Sequence, residues 1–314
     1  MRLFDLHCDT LTSCYDRGAS LCCNDLHVDL HRGLAYSPWC QLFAVWIPDT
    51  LRGAEAFRFC NRVLTFAHEE EKRYPQQFAL VKTTEQLQSA VKLGCCAGIL
   101  TVENGAAVAG ELENIRLLSA RGVRVMTLTW NGENEWGNGC LSKNTAGLTE
   151  FGKRAVAELY RVGIVPDVSH LSEAGFWDVA TLSDHPFIAS HSLSRAVHEH
   201  PRNLSDAQFR EIVRRGGLVG LSFCGGHLGA QRLDSIYRHL SHFLSMDGEK
   251  TVALGGDLDG FSLPSSWRGI EFYERLATYL LKKGITEDQL QRLFFQNAFD
   301  FFDNTLQSQE NAVQ

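Results

Sequence analysis

Eight short apolar segments are spread along the chain, and most of the residues between them have helical spacing. Short apolar runs that alternate with helical patterns are typical of strand–helix units around a parallel sheet. Eight such units predict an α/β protein with a (β/α)8, TIM-like barrel. The segments are residues 1–6, 41–47, 97–102, 123–130, 163–169, 186–190, 217–223 and 251–256.

The length of the chain agrees with a barrel made as one domain. Its 314 residues, 44% of them hydrophobic, are many for an ordinary domain but usual for this fold. We therefore expect a single domain over residues 1–304 and a frayed tail at 305–314. Residues 10–40 are predicted to be irregular, because they are rich in Asp, His, Gly and Cys.

Helical patterns account for most of the connections. Thr84, Ser172 and Ser205 are predicted N-caps, since each precedes an apolar-periodic stretch and carries a side-chain hydroxyl. The predicted helices are residues 54–73, 84–93, 111–121, 149–162, 172–182, 205–215, 233–246, 273–283 and 286–302.

Residue types that can bind metals or carry protons lie directly after five of the apolar segments. The carboxyl ends of the strands meet at one mouth of a barrel, so residues remote in sequence converge there. A carboxylate at the end of a buried strand is costly unless it is paired or metal-bound. Oxygen and imidazole ligands without thiolate favour Zn²⁺, with Mn²⁺ or Co²⁺ as substitutes. The set predicts a site for two divalent metals and comprises His7, Asp9, Glu103, His170, His191 and Asp257.

Position in the chain separates this set from similar patterns elsewhere. His27-Val28-Asp29 repeats the His-x-Asp spacing of the first strand, but it lies in the irregular segment. His198 and His200 lie in a loop after the sixth strand. We predict that none of these residues binds metal, and that Asp259 is a turn or cap residue.

Charge and composition limit the partners and the location. A net charge of −7 and a pI near 5.9 argue against nucleic acids and anionic membranes. The first strand begins almost at Met1, which leaves no room for a signal peptide, and no apolar run approaches the ~20 residues that span a membrane. We therefore expect a cytoplasmic protein. Its ten cysteines include no Cys-x-x-Cys, which favours reduced thiols over disulfides or a thiolate zinc site.

Six motifs, in order and over nearly the whole chain, resemble those of the membrane (renal) dipeptidase family, the M19 metallopeptidases of the amidohydrolase superfamily. Each motif alone is weak, but six in this order are specific. The resemblance implies a hydrolase, a metallo-dipeptidase that uses a metal-bridging hydroxide on dipeptides. The motifs are Asp5-Leu6-His7-Cys8-Asp9, Val102-Glu103-Asn104-Gly105, Asp167-Val168-Ser169-His170, Ala189-Ser190-His191-Ser192, Arg202-Asn203-Leu204-Ser205-Asp206 and Gly255-Gly256-Asp257-Leu258-Asp259-Gly260.

The resemblance also implies two zinc ions per chain. His7, Asp9 and Glu103 would hold one ion. Glu103, His170 and His191 would hold the second, so that Glu103 bridges the two.

Two further residues receive roles from the same resemblance. Arg202 would pair with the C-terminal carboxylate of the dipeptide, because a guanidinium fork suits a planar anion. Asp257 would move protons between the attacking water and the leaving amine. The resemblance suggests a homodimer, and nothing in the sequence supports the lipid anchor of the family's animal members.

Two departures from the family pattern concern the substrate. Leu128-Thr129-Trp130-Asn131 stands where relatives have Leu-Thr-His, and Ser222-Phe223-Cys224 stands where relatives often have Asn-Phe-Tyr. Trp130 is predicted to contact the substrate, with its indole N–H as its one hydrogen-bond donor. These departures leave the substrate range open, while the predicted metal ligands are all present.

Two other functions are compatible with the same residues. One is another amidohydrolase-type hydrolase, acting on a cyclic amide, a lactone or a phosphoester. Such enzymes often place a lysine between the metals, whereas no lysine ends a strand here. The other is a metal-bound, peptide-binding pseudoenzyme. Trp130 in place of histidine supports it, and Asp257 argues against it, because a binder needs no proton shuttle.

Overall fold

Parallel strands form the centre of the structure, which is a computed structural model and describes residues 1–306. Eight of the strands close into a ring, in which β1 pairs with β2 and β9, and β2 pairs with β4. The predicted (β/α)8 barrel is therefore confirmed. The strands are β1 (Leu3–Cys8), β2 (Trp39–Trp46), β3 (Phe78–Leu80), β4 (Cys96–Glu103), β5 (Val123–Thr127), β6 (Val165–Asp167), β7 (Ile188–Ala189), β8 (Leu218–Leu221) and β9 (Val252–Leu254).

The short strand β3 was not predicted. It pairs with residues 96–98 of β4, while β5 pairs with residues 100–103 of the same strand. Gly98 permits this pairing, because a Cβ there would collide with the ring of Phe78. A strand of three residues is too short to show the alternation by which strands are predicted.

Helices surround the ring. They are α1 (Thr10–Arg17), α2 (Leu30–Gly33), α3 (Gly53–Arg73), α4 (Thr84–Leu93), α5 (Leu112–Ala120), α6 (Glu150–Arg161), α7 (Glu173–Leu182), α8 (Asp206–Arg214), α9 (Gly225–Leu228), α10 (Leu233–Leu244), α11 (Phe272–Lys282), α12 (Glu287–Gln291) and α13 (Asn297–Thr305). A π-helical turn, Arg292–Gln296, joins α12 to α13, and short 3-10 turns lie at Gly105–Val108, Gly248–Lys250 and Gly269–Glu271.

The predicted caps are correct with one exception. Ser172 and Ser205 accept backbone N–H groups at the starts of α7 and α8. The cap of α4, however, is Thr83, whose side chain accepts the N–H of Gln86. Thr84 is the first helical residue, and its hydroxyl donates instead to carbonyl oxygens near α13.

The prediction that residues 10–40 are irregular is wrong for α1 and α2. The sequence of α1 has no acidic residue in its first turn and two threonines, so its intrinsic helix propensity is low. Burial of Leu11, Thr12 and Cys14 against the barrel stabilises it. Gly18, at φ 63°, ends the helix in the left-handed conformation that glycine adopts easily.

Apolar packing closes the amino-terminal end of the barrel. Phe4 and Leu6 belong to one core cluster and Leu3 belongs to the other, because successive side chains of a strand point to opposite faces. The ring of Phe4 stacks on Phe302 of α13 at 5.5 Å between centroids. Because apolar side chains fill the amino-terminal end, a functional site is expected at the opposite, carboxyl-terminal mouth of the barrel.

The C-terminal segment is described only in part. Thr305 is the last residue of α13 and Leu306 is buried, whereas residues 307–314 of the predicted tail lie outside the described residues. Within residues 1–306, no helix combines the length and the apolar character needed to cross a bilayer.

Candidate metal centre and active site

The carboxyl ends of the strands bring the predicted site residues into one cluster. His7 belongs to β1 and Glu103 ends β4, while the others follow β1, β6, β7 and β9 within three residues. Within each of three groups, the candidate ligand atoms lie within 4.8 Å of one another. The groups are His7, Asp9 and Glu103; Glu103, His170 and His191; and His7, His191 and Asp257.

Glu103 lies between two sets of side chains. Its Oε1 is 2.9 Å from His170 Nε2 and 3.5 Å from His191 Nε2, and its Oε2 is 3.6 Å from His7 Nε2. The residue is buried, and this burial, together with the nearby Asp9 carboxylate, raises the pKa of Glu103 to about 7. Glu103 therefore belongs to two of the groups that could hold a metal ion, and each of its oxygens faces a different set of histidines.

His7 and Asp9 contain buried polar atoms that need a partner. His7 Nε2 and Asp9 Oδ1 have no hydrogen-bond partner within residues 1–306. Buried polar atoms without a partner are rare in proteins, and a bound ion can satisfy them. Burial disfavours a charge on His7, yet the carboxylates of Glu103 and Asp9 raise its pKa well above the usual value. The same negative field favours a bound cation, so the residues fit a metal.

His170 and His191 face each other through Nε2, at 2.9 Å. Burial lowers the pKa of both imidazoles well below the usual value, and the charge of Arg202 acts in the same direction. Neutral imidazole is the form that binds metals. The opposite ring nitrogens are held by other side chains, His170 Nδ1 by Asn131 Oδ1 at 3.0 Å and His191 Nδ1 by Ser190 Oγ at 2.7 Å.

Asp167 is a supporting residue that sequence reasoning missed. Its carboxylate accepts hydrogen bonds from the hydroxyls of Ser190 and Thr127, both at 2.6 Å, and from the backbone N–H of Ser169 at 2.9 Å. Ser190 in turn contacts His191. Carboxylates that orient metal-binding histidines in this way affect metal affinity strongly. The available signal was an acidic residue inside an apolar strand.

Asp5 is a second buried carboxylate with several hydrogen bonds, on the other side of the ring. It is completely buried and accepts the backbone N–H groups of His7, at 3.0 Å, and Gly256, at 2.8 Å. The side chains of Gln41 and Tyr273 also donate to it. Burial raises the pKa of Asp5, against the effect of these hydrogen bonds. Asp5 therefore ties the end of β1 to the segment that carries Asp257.

Asp257 and His170 have unusual backbone conformations. Their φ angles are 57° and 66°, in the left-handed region that residues other than glycine seldom adopt. Such conformations cost about 1–3 kcal/mol and are common at functional sites. Asp257 Oδ1 lies 3.9 Å from His7 Nε2, and burial, with the charges of Asp9 and Glu103, raises its pKa well above the usual value. This geometry is compatible with either a metal ligand or a proton carrier.

A cavity of about 350 Å³ opens at this mouth. Asp9, Glu103, His170 and Asp257 line its wall, whereas His7 and His191 are almost completely buried. The aromatic part of the wall is Trp130, packed edge-on against Trp46 at 5.1 Å between ring centroids. Asn131 and Cys224 also line it. The volume is within the range of small-ligand sites.

Arg202 is buried beside the cavity and does not form its wall. Its Nη2 donates to the carbonyl oxygen of His191 at 3.2 Å, and its Nε is buried without a partner within residues 1–306. The guanidinium is close enough to Glu103 and Asp257 to favour their ionised forms, against the effect of burial. A positive charge with an unused donor therefore lies next to the cluster.

The second His-x-Asp motif is used for structure. His27 Nδ1 accepts the backbone N–H of Asp259 at 2.8 Å. Asp29 caps α2 by accepting the N–H of Arg32, and it pairs with the side chain of Arg32 at 2.7 Å. Asp259 has a φ of 68° and also accepts the N–H of His27, as expected for a turn residue. Within residues 1–306, neither His27 nor Asp29 belongs to a group that could hold a metal.

Replacing these two residues is expected to leave the metal content unchanged. Asp29→Ala removes a helix cap, which usually costs about 0.5–2 kcal/mol, so its melting temperature should fall. The melting temperature of His27→Ala should fall less, because a quarter of the His27 side chain is exposed. Metal analysis and thermal unfolding of both variants provide the test. Loss of metal from either variant would show that a position at the end of a strand does not identify the metal-binding His-x-Asp motif.

Comparisons with known proteins agree with the geometry. The sequence profile of a family described as membrane dipeptidase, peptidase family M19, matches residues 1–313. An uncharacterised protein from the pqqA 5′ region of Klebsiella pneumoniae is 34% identical over 214 residues, which are 64% of this chain and 79% of that protein.

Two solved structures resemble the whole barrel. A metallopeptidase from Rhodobacter sphaeroides, crystallised with a phosphinate mimic of the dipeptide L-Ala-D-Ala, has a TM-score of 0.90 and 26% identity, with coverage of 97% of this chain and 99% of that one. Dipeptidase AC, a metallopeptidase of family M19, also has a TM-score of 0.90, with 27% identity and coverage of 98% and 99%.

Proposed function

The chain belongs to the membrane dipeptidase family, peptidase family M19, and from this membership we propose that it is a dinuclear zinc dipeptidase with residues 1–304 as its catalytic domain. Membership makes it a metal-dependent hydrolase of the dipeptidase type. The proposal adds the identity and number of the metals and the roles of single residues.

The position of Glu103 is the observation that carries the proposal. Its two oxygens face different histidines, His7 on one side and His170 and His191 on the other. A carboxylate that served one ion would leave the second set of ligand atoms without a cation. His7, Asp9 and Glu103 would hold one Zn²⁺, and Glu103, His170 and His191 the other.

Two bound divalent metals supply an activated water and polarise a carbonyl group. The residues of the chain then have separate tasks. Asp257 lies at the wall of the cavity, and the raised pKa of its carboxyl suits a group that takes up a proton and delivers it to the leaving amine. Trp130 and Trp46 form an apolar wall, which we assign to the side chain of the substrate.

The substrate is expected to be a dipeptide. The relative from Rhodobacter sphaeroides was crystallised with a mimic of L-Ala-D-Ala, so a D-residue at the second position belongs in any test. Three expectations stay predictions from the sequence: that the protein binds neither nucleic acid nor membrane, that it is cytoplasmic, and that it forms a homodimer.

Metal analysis combined with a dipeptide panel tests the proposal. Purified protein should contain two zinc ions per chain and should hydrolyse dipeptides of L,L or L,D stereochemistry. Removal of the metal with a chelator should stop hydrolysis, and added Zn²⁺ should restore it. Protein that saturates with one zinc ion, or that hydrolyses lactones or phosphoesters but no dipeptide, would contradict the proposal.

Arg202 provides a test of dipeptide specificity. If its guanidinium pairs with the terminal carboxylate, dipeptides should be cleaved and their C-terminal amides should not. Loss of a buried charged partner costs several kcal/mol, so Arg202→Ala should lower kcat/KM by about 10²-fold or more. Because Nη2 also donates to His191, the zinc content of the variant must be measured alongside. Equal hydrolysis of a dipeptide and its amide by wild-type protein would dismiss this role.

A further inference from the structure

The side-chain amide of Asn131 is hydrogen-bonded through its oxygen but, among the described residues, not through its nitrogen. Its Oδ1 is 3.0 Å from His170 Nδ1. Because an amide oxygen can only accept a hydrogen bond, this contact makes His170 Nδ1 the donor and leaves Nε2, which faces Glu103 and His191, as the nitrogen that can bind a metal. The amide nitrogen of Asn131 donates no hydrogen bond within residues 1–306, although the residue lines the cavity. Two N–H donors are thus available beside the metal centre.

The backbone around Asn131 is held on both sides. The N–H of Gly132 donates to Asp49 Oδ2 at 2.8 Å, and the carbonyl oxygen of Asn131 accepts the N–H of Leu141 at 3.2 Å. Gly139 packs so closely that a Cβ there would collide with the carbonyl oxygen of Asn131. A donor fixed in this way costs little reorganisation when it is used, which is the property that makes such donors effective in catalysis.

We propose that the Asn131 amide donates a hydrogen bond to the carbonyl oxygen of the scissile bond as that oxygen gains negative charge. The inference rests on the proposed function and adds a catalytic residue to it. Hydrolysis of an amide places charge on this oxygen, and a preorganised donor stabilises it. The rival donor on the same wall is the indole N–H of Trp130. That ring packs against Trp46, and its centroid is 6.2 Å from that of His170.

Asn131→Asp separates a catalytic role from a positioning role. Aspartate keeps an oxygen that can accept from His170 Nδ1, removes the N–H donors and adds a negative charge, whose effect is measured by the control variant below. If Asn131 merely orients His170, this variant should behave as wild type. If the amide donates to the oxyanion, kcat should fall by about 10²–10³-fold, the usual effect of removing one such donor, while the zinc content stays that of wild type.

Asn131→Leu removes both groups and provides the comparison. Its kcat should fall at least as much as that of Asn131→Asp. It should also bind zinc more weakly, because loss of a partner that orients a ligand typically lowers metal affinity about 10–100-fold.

Two further variants serve as controls. Asn144→Asp makes the same amide-to-carboxylate change on the same loop; Asn144 is exposed, and its Oδ1 accepts the N–H of Ala146. It measures the effect of one added negative charge on the loop, and its kcat should stay within about threefold of wild type. Trp130→Phe keeps the aromatic wall and removes the indole N–H, so it tests the rival donor.

Binding of a phosphinate dipeptide mimic supplies a readout other than turnover. A phosphinate resembles the tetrahedral state, so Asn131→Asp should weaken its binding, measured by calorimetry, by about the factor lost in kcat, whereas a product amino acid should bind as it does to wild type. Two outcomes would overturn this inference alone, provided that the wild type hydrolyses dipeptides. One is a kcat of Asn131→Asp within about threefold of wild type, and the other is a larger loss of kcat in Trp130→Phe than in Asn131→Asp. A wild-type protein that hydrolyses no dipeptide overturns the proposed function and this inference with it.

Discussion

Glu103→Ala is expected to empty both metal positions and to reduce dipeptide hydrolysis to the background rate. The reason is geometric, since Glu103 is the member common to two of the ligand groups and directs one oxygen towards each. Without it, each of these two groups keeps only two ligands. Metal analysis after exhaustive dialysis, together with a dipeptidase assay, measures both effects.

Two further variants make this result specific. His170→Ala should mainly empty the position that it shares with His191, and should retain about one zinc ion per chain. Glu70→Ala is a matched control, because Glu70 is also completely buried and accepts hydrogen bonds from Ser20 and Leu21. Within residues 1–306 it belongs to no group that could hold a metal, and it does not line the cavity. Its stability should fall while its zinc content stays normal. A Glu103→Ala protein that still binds two ions would rule out the bridging role.

Asp257→Asn is expected to lower kcat by about 10²–10⁴-fold, the usual contribution of general acid–base catalysis. Asparagine has nearly the same shape and tolerates the left-handed backbone conformation of this position, but its amide cannot accept the proton of the attacking water. Zinc content and dipeptide affinity should stay near those of wild type. Zinc analysis, an affinity measurement and steady-state kinetics on one preparation test all three expectations.

Asp259→Asn is the matched control for this prediction. Asp259 also has a positive φ and lines the same cavity, but within residues 1–306 it belongs to no group that could hold a metal. Its substitution should therefore have a much smaller effect on kcat. Normal turnover by Asp257→Asn would place the proton carrier elsewhere. Loss of zinc would instead make Asp257 a ligand, as its proximity to His7 and His191 allows.

The barrel was predictable because each strand is buried on both faces. Buried parallel strands are continuous apolar runs, and these stand out from the amphipathic helices that separate them. Elements without such a pattern were missed. The helix α1 depends on burial rather than propensity, and β3 has only three residues.

The supporting network was not predictable from sequence. Asp5 and Asp167 were visible as acidic residues in apolar strands, but their partners come from other strands and helices: Tyr273 is 268 positions from Asp5, and Thr127 is 40 positions from Asp167. Which N–H or hydroxyl reaches a buried carboxylate depends on strand register and on side-chain rotamers. The local sequence specifies neither the register nor the rotamers.

The sequence by itself determined the fold class and the residue types that would meet at the mouth, because chain polarity places the carboxyl ends of all parallel strands on the same side of a barrel. Only the tertiary structure decided their individual relations. It placed the two oxygens of Glu103 near different sets of histidines and put Arg202 behind the cavity wall. It also left the amide nitrogen of Asn131 without a hydrogen-bond partner in the part of the chain that the structure describes, while the amide oxygen contacts His170. These are differences of a few ångströms, set by packing and by backbone conformations such as the positive φ of His170, and a residue's position in the chain carries no information on that scale.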